Sequence, residues 1–101
     1  MTYFTEKADL LNVMANASRL QVLTTLRDGE MGVGKLAETV GLSQSALSQH
    51  LAKLRAMDLV STRRDAQAVY YSVKSDRVYA VLDMLSDLFD ETIEVRSLIA
   101  S

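Results

Sequence analysis

The chain has 101 residues, of which 49% are hydrophobic and 24% charged, with a net charge of −2, so we expect one domain over residues 1–101 with a modest core. The absence of cysteine excludes disulfides, thiolate metal sites and sulfur nucleophiles, and a single histidine excludes a histidine-rich zinc site. The acidic total by itself argues against a nucleic-acid partner.

The first third of the chain predicts two helices. The apolar spacing predicts a helix over residues 5–15, with Thr5 as its N-cap. Asn16 is a good capping residue, and it begins a second helix over residues 16–28, which Gly29 ends. No stretch has the roughly 18 apolar residues of a membrane span, and the first residues lack a signal-peptide pattern. We therefore expect a cytoplasmic protein that has no membrane partner.

The middle of the chain predicts two helices joined by a short turn. A third helix covers residues 33–40, and we expect Gly41 to end it in the left-handed region. Ser43 then caps a fourth helix over residues 43–57. This arrangement is a helix-turn-helix, which we place at residues 33–57.

The rest of the chain changes period and then returns to a helix. Residues 59–64 and 68–73 are rich in Val, Thr and Tyr and flank a polar tip, which predicts a β-hairpin wing over residues 59–73. A long helix follows over residues 76–99, and its apolar stripe extends to Thr92. The predicted fold class is mainly α with a hairpin wing, a winged helix-turn-helix with four helices, two strands and a final helix.

The fourth helix has one apolar face and one small polar face. Helical rotation groups Leu47, Leu51 and Leu54 on one side. In a helix-turn-helix the second helix enters the major groove, where Ser and Gln bond to base edges. A solvated face of no function usually carries Lys and Glu, so we favour readout of bases. The candidate DNA-binding residues here are Ser43, Gln44, Ser45, Ser48, Gln49 and Lys53.

The wing carries further candidates for DNA binding. Arg63 and Arg64 precede the hairpin tip and Gln67 follows it, positions that suit phosphate contact or insertion into a minor groove. The alternative is that these arginines only make an exposed turn soluble. His50 lies at the apolar edge of the fourth helix, and we expect a structural, hydrogen-bonded histidine there because nothing could complete a ligand set.

Counting charge by segment changes the meaning of the total. Residues 1–42 have a net charge of −1, residues 43–77 of +3, and residues 78–101 of −4. The positive charge therefore coincides with the predicted reading helix and wing. An acidic protein of this kind can still bind DNA through one face, with strong salt dependence.

Surplus apolar residues on the first and last helices predict a dimer. The alternative is that they close a monomeric core. A two-fold dimer built on the helices at residues 5–15 and 76–99 places two reading helices roughly 34 Å apart, one turn of DNA. The candidate interface residues are Phe4, Leu11, Met14, Val81, Leu85, Leu88 and Phe89.

Several strings resemble the ArsR/SmtB winged-helix repressors over nearly the whole chain. They are MANASRL at residues 14–20, GLSQSALSQHL at residues 41–51 and STRRDAQAVYYS at residues 61–72. The last two are most similar to the branch of rhizobial nodulation repressors and haemolysin activators. The resemblance implies a homodimer that binds a palindromic operator in double-stranded DNA.

The chain departs from this family at its known sensor positions. Members that sense arsenic or lead carry Cys-Val-Cys at the third helix, where this chain has Gly32-Val33-Gly34. The positions that match the zinc ligands of other members are Ser75, Arg77, Leu88 and Glu91, and none of them is a His. The positions that match the paired thiols of a further group lie near Thr24 and Asp90, and neither is a Cys. We therefore expect no metal, no cofactor and no thiol sensor, and the inducer is unknown.

These observations favour a dimeric transcriptional regulator, more specifically a repressor. One alternative is a winged-helix module that binds proteins through the last helix. Another is an anti-repressor, which activates by displacing a second DNA-binding protein. An enzyme is disfavoured because the lone histidine has no nucleophile beside it and the chain has no phosphate-binding loop.

Overall fold

The structure, a computed structural model, describes residues 2–89. The fold is mainly helical with an antiparallel wing, as the sequence predicts, and the wing has three strands where the sequence predicts two. The end of the predicted last helix, with Thr92, falls outside the described residues. The elements are α1 Thr2–Met14, α2 Ala17–Arg27, β1 Met31–Gly32, α3 Val33–Val40, α4 Gln44–Ala56, β2 Val60–Asp65, β3 Ala68–Val73 and α5 Asp76–Phe89.

The predicted caps set the ends of the central helices. The Asn16 side chain accepts a hydrogen bond from the backbone N–H of Arg19 at 3.1 Å, which caps α2. Gly41 ends α3 at a φ of 71°, the left-handed conformation that glycine adopts without strain. The Ser43 hydroxyl then accepts from the N–H of Ala46 at 3.1 Å and begins α4. The helix-turn-helix therefore folds from local signals.

The wing contains a strand that the sequence does not predict. Met31 and Gly32 form β1, which pairs with Tyr71 and Tyr70 of β3, so the sheet order is β1-β3-β2. Two residues are too short to show the alternation by which a strand is recognised. This pairing attaches the start of α3 to the wing.

Helix α1 begins earlier than predicted. It starts at Thr2, so Thr5 lies inside the helix and is not its N-cap. The Lys7 ammonium lies 3.2 Å from the centroid of the Tyr3 ring, an i, i+4 contact within the first turns of the helix. This contact favours the longer helix.

The core is one cluster, to which α2, α3 and α4 contribute most. The prediction that Met14 is a surplus surface residue is wrong, because its side chain is only 3% exposed and packs in this cluster. Val13 beside it is also buried, so α1 joins the core through its last turn. Most of the remainder of α1 is exposed.

Candidate nucleic-acid interface

One face of helix α4 packs in the core. The Leu47, Leu51 and Leu54 side chains are at most 1% exposed and pack in the core, as their spacing predicts. Leucine burial of this kind contributes roughly 1.5–3 kcal/mol per side chain to folding, so the orientation of α4 is fixed by its apolar side. The polar side must therefore face outward.

The outward face of α4 carries every candidate predicted there. The exposed side chains from Ser43 to the end of α4 are Ser43, Gln44, Ser45, Ser48, Gln49, Ala52, Lys53, Arg55 and Ala56. Ser43 uses its oxygen to accept from Ala46, which leaves its hydroxyl hydrogen free to donate to a phosphate at the N-terminus of the helix. The face thus combines hydrogen-bonding groups with small side chains that let a helix approach a groove closely.

Backbone hydrogen bonds attach the wing to the end of α4. The N–H of Leu59 donates to the carbonyl of Leu54 at 3.0 Å, and the carbonyl of Leu59 accepts from the N–H of Lys74 at 2.9 Å. Leu59 therefore joins the last turn of α4 to both ends of the hairpin. The position of the wing relative to α4 follows from this junction.

The side chain of Arg63 on β2 forms an ion pair with Glu30 of the same chain. Its guanidinium donates to the Glu30 carboxylate at 3.1 Å from Nε to each oxygen and at 2.5 Å from Nη2 to Oε1. The same group lies 4.7 Å from the centroid of the Tyr70 ring. The hydrogen bond from Arg63 lowers the pKa of Glu30 and raises that of Arg63, so both groups are charged at neutral pH. Half of the positive charge expected from the arginine pair is therefore offset by Glu30.

Arg64 differs from its neighbour. Within residues 2–89 it is exposed and forms no ion pair, and its register partner on β3 is Val69. Consecutive residues of a strand point to opposite faces, so Arg63 and Arg64 do not reach the same ligand from the same side. Gln67 is exposed at the hairpin turn, next to Ala66 at a φ of 55°.

His50 is hydrogen-bonded, as its place at the edge of the apolar face predicts. Its Nδ1 accepts from Nε of Arg19 at 3.2 Å. Burial lowers the pKa of His50, and the positive charges of Arg19 and Lys53 lower it further. The imidazole is therefore neutral at pH 7.

Apolar side chains are exposed on α1 and α5. Phe4 is 64%, Leu11 57%, Leu88 69% and Phe89 69% exposed, while Val81 and Leu85 are half-buried. Tyr3 on α1 and Met84 on α5 are also exposed. The two helices that the sequence predicts for dimerisation thus expose large apolar groups in the monomer.

No metal centre is found in the part of the chain that the structure describes. No group of three or more His, Cys, Asp or Glu side chains there is arranged to hold a metal ion. A Cβ at Gly32, one of the two glycines that the resemblance matches to family thiolates, would lie 3.6 Å from the Tyr70 ring. Asp90 and Glu91 lie outside the described residues. No helix between residues 2 and 89 is long and apolar enough to cross a membrane.

Three residues of this region were missed by sequence reasoning. Glu30 and Tyr70 hold Arg63, and Arg19 holds His50. Glu30 is 33 residues and Arg19 31 residues from its partner. Contacts over such separations leave no periodic signal in one sequence, so only the folded chain reveals them.

Comparison with known proteins places the chain among transcriptional regulators. The family model described as "Bacterial regulatory protein, arsR family" matches residues 16–62. Nodulation protein NolR of Rhizobium meliloti is 60% identical over 84 residues, which are 83% of this chain and 69% of that protein. Transcriptional activator HlyU of Vibrio cholerae is 51% identical over 80 residues, 79% of this chain and 74% of that protein. The crystal structure of NolR from Sinorhizobium fredii superposes with a TM-score of 0.85 at 56% identity, covering 87% of this chain and 88% of that one.

Proposed function

We propose that this chain, which belongs to the arsR family of bacterial regulatory proteins, is a homodimeric repressor that reads a palindromic operator with α4 and the wing. Family membership makes it a DNA-binding transcriptional regulator and not an enzyme. The proposal adds the dimer, the repression and the residues that touch DNA. It also treats residues 1–101 as one domain acting in the cytoplasm.

The observation that carries the proposal is the polar face of α4. Six exposed Ser, Gln and Lys side chains lie on a helix whose opposite face is locked in the core. Gln49 suits the edge of adenine, and Ala52 suits close approach or contact with a thymine methyl. Ser43 and Lys53 suit phosphates, which position the helix without reading sequence.

The dimer is supported by the exposed apolar groups of α1 and α5. Phe4, Leu11 and Leu88 are each more than half exposed in the monomer. Large apolar side chains clustered on two helices mark an interaction surface. A two-fold partner bound there gives two copies of α4 at a fixed spacing, which suits a palindromic operator.

Repression is the simplest outcome of such binding. The proposed reading helix, wing and dimer helices need no further element to occupy a promoter, and occupation of a promoter blocks transcription. The name of the Vibrio cholerae relative, an activator, favours one alternative. In that alternative the protein displaces another repressor from DNA. Glycines at the family thiolate positions favour regulation without metal or thiol chemistry.

The test of this function combines DNA binding with sedimentation. DNA selected from a random pool is expected to contain a palindrome bound by a dimer, with affinity that falls steeply with salt. In vitro transcription from a promoter carrying that palindrome is expected to fall as protein is added. A monomer without salt-sensitive DNA affinity would contradict the proposal and favour the protein-interaction module.

The two wing arginines are expected to differ in their effect on salt dependence. Arg64→Ala should weaken binding to all sequences alike and lower the salt slope by about one, because it removes one phosphate contact. Arg63→Ala should lower the slope less, because Glu30 already offsets that charge. Binding curves at four or more salt concentrations measure both slopes. Equal losses would mean that Arg63 leaves Glu30 when DNA binds.

A further inference from the structure

One arginine connects three helices. The Arg19 side chain belongs to α2, and its Nη1 donates to the carbonyl of Val13 in the last turn of α1 at 3.0 Å. Its Nε donates to Nδ1 of His50 on α4 at 3.2 Å. The carbonyls of a last helical turn have no partner within their own helix, so Arg19 satisfies one of them. The bridge runs from α1 through Arg19 to α4.

The chemistry of this bridge requires a neutral histidine. Arginine has donors and no acceptor, so Nδ1 of His50 must accept and its proton must be on Nε2. Arg19 on α2 lines an open cleft together with two other charged side chains, Lys53 on α4 and Asp9 on α1. Of these, Arg19 and Lys53 lower the pKa of His50, after burial. Protonation would remove the acceptor and place a third cation beside two others.

The bridge lies between the two elements whose relative orientation matters for an operator. Helix α1 buries only Val13 and Met14, so few apolar contacts define its angle. In a dimer built on α1 and α5, that angle sets the separation of the two copies of α4. An error in this separation weakens simultaneous contact with two half-sites and leaves contact with one half-site intact.

We propose that Arg19 and His50 are positioning residues that hold the reading helix α4 at a fixed orientation to α1, so that a dimer engages both halves of its operator. This inference rests on the proposed function, because it needs the dimer and the reading role of α4. The bridge itself makes no contact with DNA in this scheme. Loss of the bridge should therefore lower the ratio of the affinity for a palindrome to the affinity for a half-site.

The experiment compares two substitutions of His50. His50→Phe keeps an aromatic ring and removes the acceptor, whereas His50→Asn places an amide oxygen close to the position of Nδ1. Affinity is measured for the palindrome selected by the wild-type protein and for the same duplex with one half scrambled. We expect His50→Phe to lower the palindrome-to-half-site ratio by about tenfold, the effect of one hydrogen bond from a charged donor. His50→Asn should retain the ratio.

A pH series provides a readout that a merely structural role would not move. His50 is the one histidine of the chain, so its imidazole C–H signal in NMR spectra is unambiguous. As the pH falls through the pKa of His50, below the ordinary 6.5, the wild-type ratio should fall with the NMR titration. The ratio of His50→Asn should stay constant over the same range, because an amide does not titrate.

The outcomes separate the two proposals. A wild-type protein that shows no preference for the palindrome, or sediments as a monomer on it, would overturn the proposed function. If the wild-type preference is present, an unchanged ratio in folded His50→Phe would overturn the positioning role alone. If His50→Phe fails to fold, either of two other results overturns the positioning role. One is a palindrome-to-half-site ratio of the wild-type protein that does not change with pH, and the other is a His50→Asn ratio that is lower than the wild-type ratio.

Discussion

A chain carrying both Leu11→Glu and Leu88→Glu is expected to remain folded, to sediment as a monomer and to bind its palindrome about a thousandfold more weakly. Leu11 is 57% and Leu88 69% exposed, so the monomer accommodates a carboxylate at either position. A two-fold interface would instead bury four unpaired carboxylates, each of which costs several kcal/mol. The loss of affinity follows because specific binding exceeds non-specific binding by roughly a thousandfold or more, and a monomer contacts one half-site. Sedimentation velocity and DNA titration measure the two effects.

A control variant with one added carboxylate per chain, against two in the double variant, separates loss of the interface from the effect of added charge. Gln21→Glu places an exposed carboxylate on α2, a helix that contributes none of the candidate interface residues, and should leave the dimer and the affinity nearly unchanged. Circular dichroism should give the same helix content for all three proteins. A double variant that stays dimeric would show that α1 and α5 do not form the interface. A monomeric variant that retains the wild-type affinity would show that the dimer is not needed for binding.

The helix-turn-helix could be predicted because its signals are local. Gly41 is the residue that tolerates the left-handed φ of 71° at the end of α3, and Ser43 is a strong N-cap. The leucine spacing of α4 then decides which face is buried. Each of these effects acts within one or two turns of a helix, so one sequence contains them completely.

The parts that could not be predicted depend on distant residues. Strand β1 exists because Met31 and Gly32 find Tyr71 and Tyr70, about 40 residues away along the chain. The same proximity brings Glu30 beside Arg63. Neither contact can be predicted from the spacing of residues in the sequence. The first adds a strand to the wing, and the second offsets the charge of Arg63. The burial of Met14 could not be predicted for a related reason, because it depends on how α1 packs against α2.

Ion pairs refine what charge counting by segment suggests. Residues 43–77 carry six basic groups, of which Arg63 pairs with Glu30 and Lys74 with Asp58 at 2.8 Å. Within residues 2–89, the other four basic groups of that segment form no ion pair, and they are Lys53, Arg55, Arg64 and Arg77. The positive surface available to DNA is therefore smaller than the count implies. It is divided between the end of α4, the wing and the start of α5.

Leu51→Ala is expected to lower the free energy of unfolding by about 2–5 kcal/mol. The Leu51 side chain is 1% exposed within the core cluster, so truncation removes its apolar burial and leaves a cavity. A domain of this size has a total stability of roughly 5–15 kcal/mol, so the loss is a large fraction of it. Urea denaturation at one fixed protein concentration measures the change, since a dimer gains apparent stability with concentration. The fraction that stays folded should keep the wild-type base preference.

Gln49→Ala, two residues earlier on the opposite face of α4, should give the reverse pattern. Gln49 is exposed and alanine is the better helix former, so stability should stay the same or rise slightly. Discrimination between operators that differ at the contacted base should fall by about 1–3 kcal/mol, the range for one good pairing of a side chain with a base. A loss of stability without a change in base preference would show that this face of α4 does not read the bases. The contrast between the two variants therefore tests whether one helix divides folding and recognition between its two sides.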